Sequence, residues 1–212
     1  MSGALQAVFQ NQRSFITIPN IGDAYQGGFY AGQISTAGNG IADYNLVVGP
    51  VASAQNASKQ WKTANTTTTG TTSVIDGPTN STNMNNASHP AAEFCEGLTI
   101  GGFSDWYMPA KNELEVCYYN LKPTTASNST SYGINANAVP ARASNYTTGN
   151  PAQTSAADFK DTGAEDFAAG SYWSSTELAS FAASEQYFLG GVQHSYYKTT
   201  FARVRAVRRV AV

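Results

Sequence analysis

The side chains best suited to gripping a ligand crowd into one short stretch: Glu185, Gln186 and Tyr187, then Gln193, His194, Tyr196 and Tyr197. Tyrosine presents a rigid ring and a hydroxyl at low entropic cost, while Glu, Gln and His add adaptable hydrogen bonds. This is the chemistry of recognition by stacking and hydrogen bonding. Side chains two apart share a strand face, so Tyr187 with Glu185, or Tyr196 with His194, form one platform if the segment is β. Tyr187, Gln193, Tyr196 and Tyr197 are the leading ligand contacts, with ordinary strand surface as the alternative for each.

Other reactive side chains fit catalysis less well. A glycosidase needs two carboxylates spaced across a sugar. Asp158, Asp161, Glu165 and Asp166 supply carboxylates, but in an Ala/Gly-rich setting that points to a solvated loop. Ser174 and Ser175 lack the Gly-x-Ser-x-Gly elbow of a serine hydrolase. His89 and His194 are the only histidines, and neither has a partner at ligand or triad spacing. Cys95 and Cys117 come without a Cys-x-x-Cys or paired-His motif, so no metal site is expected. They read as small buried apolar side chains, or as one disulfide. No catalytic residue, cofactor or metal is therefore expected, and the chain is not read as an enzyme. Arg203, Arg205, Arg208 and Arg209 could hold oxyanions of a sulfated or phosphorylated glycan. The alternative, expected for at least two of them, is ion pairing with Asp105, Glu113 or Glu177.

The elements that must position these groups are β-rich at both ends. Ile21 to Val51 carries strand material at Phe29, Tyr30 and Ile34, a tight turn at Gly38-Asn39-Gly40, and a short buried strand over Asn45 to Pro50, ending at Pro50. Gln55 to Asn86 is nearly all Asn, Thr, Ser and Gly, and is expected to be a partly ordered loop pinned by Trp61. Two helices follow. The first is capped by Ser88 with Pro90 in its first turn. The second runs from near Pro109 to about Leu121 and is ended by Pro123. Lys122 to Gly170 is a second polar insertion, with short strand candidates near Ile134 and Val139. Strands are then expected at Tyr172 to Ser175, Gln186 to Leu189, Val192 to Tyr197 and Phe201 to Val207. Arg208-Arg209 breaks the last alternation, as a bulge or strand end would. Trp106 and Trp173 are expected in the core, with Asp105 capping a turn or pairing with a C-terminal arginine.

Composition sets the bounds. The chain has 212 residues, enough to bury a real core. Charged residues make up 12%, against about a quarter in ordinary domains. A net charge of −2 sets up no global field for nucleic acid or anionic membrane. Twelve tyrosines favour binding through the surface. No apolar run approaches the roughly 20 residues of a membrane helix, so no membrane insertion is expected. Met1 to Phe15 lacks a basic start and a continuous apolar core, so a signal peptide is not expected. Asn-x-Ser/Thr sequons begin at Asn56, Asn65, Asn80, Asn86, Asn128 and Asn145, an expected by-product of this composition. Within residues 1–20, Ala4, Leu5, Val8 and Phe9 form a short helix-compatible stripe, marginal alone. It reads as a docking segment or a frayed terminus.

Ordered motifs then point to a family. Ile21-Gly22-Asp23-Ala24-Tyr25-Gln26-Gly27-Gly28-Phe29-Tyr30, Leu46-Val47-Val48, Cys95-Glu96-Gly97-Leu98 and Gly101-Gly102-Phe103-Ser104-Asp105-Trp106-Tyr107-Met108-Pro109 with Glu113-Leu114 stand in one order. Tyr172-Trp173-Ser174-Ser175-Thr176-Glu177 and Arg203-Val204-Arg205-Ala206-Val207-Arg208 close the series. Together they resemble the Lcl-type domain, named for the C-terminal domain of collagen-like bacterial adhesins, over about residues 21–209 with two long insertions. The resemblance implies an α+β, C-type-lectin-like fold: two helices, a twisted antiparallel sheet, long loop insertions and neighbouring termini. It also implies binding, often of polysaccharide. Related domains form the diversified receptor-binding tips of phage and bacterial surface proteins, with a variable face that maps here onto about Leu178 to Thr200. Gly3 to Ser14 resembles the N-terminal segment of several structural proteins of marine tailed phages.

Two departures stand out. Ala110 occupies the helix start where the family often has a capping Ser or Thr. The calcium-dependent sugar motifs of true C-type lectins, Glu-Pro-Asn or Gln-Pro-Asp followed by Trp-Asn-Asp, are absent, so binding is expected to be independent of calcium. The expectation is a virion docking segment at 1–20 and a lectin-like domain at 21–212, in a tail or fibre-associated adhesin that recognises a host surface glycan or receptor. Other virion proteins and further copies of the chain are its expected partners; an extracellular or bacterial cell-surface location is the alternative to the virion. A purely structural decoration or fibre protein is the alternative function.

Overall fold

The computed structural model describes residues 18–212. The residue stripe at positions 4–9 and most of the expected docking segment lie outside the described residues. The described chain is mixed α+β, built on two five-stranded sheets. In chain order the elements are β1 (Ala24–Tyr25), β2 (Gly28–Ile34), β3 (Tyr44–Val48), α1 (Val51–Ala54), β4 (Gln55–Gln60), α2 (Gly77–Thr82), α3 (Pro90–Glu96), α4 (Lys111–Leu121), β5 (Ala138–Val139), β6 (Ser171–Ala179), β7 (Ala182–Tyr187), β8 (Gln193–Tyr197), β9 (Phe201–Arg205) and β10 (Val207–Ala211).

The first sheet has the order β1-β2-β3-β10, with β5 also on β2; the second runs β4-β9-β6-β7-β8. All pairings are antiparallel except a single parallel bridge, Tyr172 to Arg203. The expected last strand is thus two strands. Val204 and Arg205 are both buried, so the alternation of one exposed face fails there. The chain steps between sheets at Ala206, whose N–H donates to Ala54 and whose carbonyl accepts from Gly49. Arg208 and Arg209 lie inside β10, paired with Val47 and Leu46, rather than at a bulge or strand end.

Helix α4 carries the main packing. Leu114, Val116, Cys117, Tyr118 and Leu121 bury against Ile34, Leu46, Val48, Tyr172 and Phe188. Gly32 lets β2 approach this helix. A Cβ there would sit 2.4 Å from the Asn120 amide, and that amide donates to Ala31 O at 2.7 Å. The missing cap at Ala110 is replaced from outside. Lys111 N–H donates to the Thr176 hydroxyl at 3.0 Å, and the Glu113 carboxylate reaches back to Ala110 N–H at 2.7 Å. The N-cap position of helix α3 is His89 rather than Ser88, and no side chain caps it. Two further short helices, α1 and α2, join the expected pair.

A second core cluster holds Trp61, Trp106 and Trp173 with Met84, Met108 and Val204. All three indoles are buried and satisfied: Trp61 donates to Ser174 O, Trp106 to Phe103 O and Trp173 to Lys59 O. Cys95 and Cys117 are buried free thiols in different clusters, so they form no disulfide. Gly27 and Gly101 explain each other. A Cβ on Gly101, which has φ +61°, would stand 2.7 Å from the Gly27 Cα, so these motif glycines let two turns touch backbone to backbone.

The polar insertions are ordered, contrary to expectation for Gln55 to Asn86. Amide side chains supply the missing backbone partners. Asn80 donates to Ser73 O, Asn83 to Gly70 O, Asn135 to Asn112 O and Asn137 to Ser35 O. Asn128 accepts from the Lys122 ammonium and the Tyr118 hydroxyl while donating to Pro151 O. Asn80 and Asn128 are buried, so these two sequons are structural. Ile134 is exposed and outside any strand, whereas Val139 does pair with β2.

Candidate functional site

Strand pairing assembles a cleft on one face of the second sheet. The register sets Ser171 opposite Tyr187, Glu185 opposite His194 and Ala183 opposite Tyr196. Odd-numbered β7 residues and even-numbered β8 residues therefore share this face. The parallel bridge from β6 to β9 brings up Arg203, and Thr200, Phe201 and Ala202 close the far wall. The cleft holds about 270 Å³.

Tyr187 and His194 stack, with ring centroids 6.1 Å apart and planes 16° from parallel. Tyr196 is 45% exposed and Phe201 64% exposed, so the aromatic walls are open to a ligand. The floor is Glu185, only 3% exposed. Burial pushes its carboxyl above the ordinary range, with a hydrogen bond from Ser171 opposing the shift. Its carboxyl oxygens can accept hydrogen bonds from ligand hydroxyls.

Arg203 differs from its C-terminal neighbours. Arg205 pairs with Glu165 at 2.8 Å, Arg208 with Asp105 at 2.7 Å and Arg209 with Glu113 at 2.8 Å. No carboxylate pairs with Arg203 among the described residues, and its guanidinium lies over Gly170, where a Cβ would come within 2.6 Å. Ion pairing thus claims Arg205, Arg208 and Arg209, and leaves Arg203 at the cleft. Glu177 takes Lys198 instead of an arginine, at 3.2 Å. Glu165 is withdrawn from the acidic loop, since it also accepts Val51 N–H at 2.8 Å.

The expected contact residues divide between two faces. Glu185, Tyr187, His194 and Tyr196 come together at the cleft. Gln186 is buried on the inner side, and its side-chain oxygen and nitrogen have no partner among the described residues. Gln193 lies opposite Gln186, away from the cleft. Tyr197 is 59% exposed on that other side, packed on Phe181 with ring centroids 5.7 Å apart. Ser171, Thr200 and Phe201 were not singled out as contacts, and Arg203 only as a general oxyanion binder. Their strands reach the site through sheet pairing, which local alternation does not encode.

His89 is a structural residue. It accepts from Thr68 at its Nε2, 2.9 Å away, and donates from Nδ1 to Asn86 at 2.9 Å. Burial, then the Lys62 and Lys198 charges, holds its imidazolium pKa down to about 4, so the ring is neutral at pH 7. Among the described residues no group of three or more His, Cys, Asp or Glu side chains is placed to hold a metal ion. Glu185 is the one carboxylate lining the cleft. The cleft offers aromatic stacking faces, a buried carboxyl and a guanidinium with no carboxylate partner among the described residues. No helix among the described residues is long and apolar enough to cross a membrane. No protein-family model and no curated protein matches the chain.

Proposed function

We propose that this chain is a phage virion structural protein, a tail or fibre-associated adhesin that binds a host surface glycan or receptor through a C-type-lectin-like domain. The observation that carries the proposal is the convergence of Glu185, Tyr187, His194 and Tyr196 with Arg203 in one open cleft. The mixed α+β architecture is compatible with the lectin-like fold, as is the order of the motifs along it. Aromatic faces stack on sugar rings, and Glu185, His194 and Arg203 offer hydrogen bonds to hydroxyls around them. The N-terminal segment, residues 1–20, would attach the domain to other virion proteins.

A second reading, a decoration or fibre protein that uses the fold only for assembly, draws on the exposed Leu178, Phe181 and Tyr197. Titrating purified protein onto host cells separates the two. Saturable binding that a soluble cell-surface polysaccharide competes away, and that survives a chelator, supports the adhesin. Absence of saturable binding to host cells that the assembled particle does adsorb to would favour the assembly reading.

A further inference from the structure

A sheet edge left open is a template for another strand. Among the described residues, three of the four sheet edges are blunted. In the first sheet, β1 and β5 are two residues each on one side. On the other, β10 carries Arg208 and Arg209 and is bridged at Val207 by Tyr107. In the second sheet, β4 has a register break between Asn56 and Lys59 and carries a lysine. The remaining edge is β8, and it has none of these protections.

Strand β8 reads Gln193-His194-Ser195-Tyr196-Tyr197, without Asp, Glu, Lys, Arg or Pro. Its pairing with β7 is regular from Ala182–Tyr197 to Gln186–Gln193, with no bulge. No strand pairs with its outer side among the described residues. Ser195, Tyr196 and Tyr197 are exposed. An apolar groove of about 300 Å³, lined by Phe181, Ala182, Ser195, Tyr196 and Tyr197, runs beside it.

We propose that β8 pairs antiparallel with β8 of a second copy of this chain, about a two-fold axis at Ser195. The strand is complementary to itself in that register. His194 of each copy lies opposite Tyr196 of the other, and Gln193 opposite Tyr197, so polar ring or amide meets aromatic ring at every pair flanking the axis. No like charges meet, because the strand carries none. The two second sheets become one continuous sheet. Edge pairing uses backbone groups and leaves side-chain faces open, so the two clefts stand side by side on one surface. This inference requires no ligand and does not depend on the adhesin reading.

The experiment is the solution mass of the full chain, without ligand, by light scattering after size exclusion. Wild type is expected to run as a dimer or a multiple of it. Ser195→Lys places two ammonium groups face to face at the axis and is expected to halve the mass, with the melting temperature of the protomer retained because Ser195 is exposed. Ser195→Glu is expected to do the same. An equimolar mixture of the two variants should restore the dimer. Monomeric wild type would overturn the proposal. So would charge variants that keep the wild-type mass, which would locate the contact elsewhere, and so would a mixture of monomeric variants that stays monomeric.

Discussion

At the scale of single residues, burial and charge decide which polar groups are structural. Trp173 is fully buried in a cluster with Trp61 and Trp106, and its indole N–H is satisfied by Lys59 O. Truncating such a side chain costs about 3–5 kcal/mol, a large part of a domain's usual stability. Trp173→Ala is expected to give insoluble or unfolded protein, checked by expression and thermal melting. Soluble variant with a cooperative melt near wild type would move Trp173 out of the core. His89 makes a pH prediction. Its imidazole is held neutral in the folded state down to about pH 4, whereas in the unfolded chain it titrates near 6.5. The unfolded state therefore binds a proton first as pH falls, and the stability contributed above pH 6.5 is lost progressively toward pH 4. The melting temperature should fall more steeply over that window in wild type than in His89→Asn. Equal slopes would show that His89 is not the responsible group.

At the scale of elements, the core positions of Trp106 and Trp173 and the parity of the hairpin strands were legible in the sequence, whereas Trp61, expected only to pin a loop, is a core residue too. Large aromatics beside polar turns must be buried, and side chains two apart must share a strand face. Glu185 and Tyr187 on one strand, and His194 and Tyr196 on the next, fall together for that reason. Gln186, Gln193 and Tyr197 separate from them for the same reason. The break at Ala206 was not legible, because Arg203 to Ala206 alternates right up to the point where the chain changes sheet, and the visible irregularity at Arg208-Arg209 comes only inside the next strand. Nor were the ordered polar insertions. Low apolar content reads as disorder, but buried amides such as Asn80 and Asn128 replace core packing with hydrogen bonds. The cap of α4 belongs here too. Thr176 on β6 supplies the acceptor that Ala110 lacks. Thr176→Val keeps the shape and removes the acceptor, and should lower stability by about 1 kcal/mol, within the usual range of cap losses. Denaturant unfolding checks this; an unchanged midpoint would mean that Glu113 alone caps the helix.

At the scale of the whole molecule, the proposal assigns attachment to the N-terminal segment and recognition to the domain. Deleting residues 2–18 is expected to leave the melting temperature nearly unchanged and to abolish incorporation into particles, measured by protein content of purified virions. Normal incorporation of the truncated chain would place the attachment surface on the domain itself. The domain's share of the work rests on the cleft. Stacking and hydrogen bonding at Tyr187 and Tyr196 should carry much of the binding, and one such aromatic anchor is commonly worth at least about 2 kcal/mol, or roughly thirtyfold in affinity. The most direct measurement is therefore the affinity of the Tyr187→Ala, Tyr196→Ala double variant for host cells, compared with wild type at matched fold and oligomeric state. The account predicts a loss of roughly thirtyfold or more with the melting temperature little changed. Full affinity in the folded double variant would contradict it and leave the assembly reading standing.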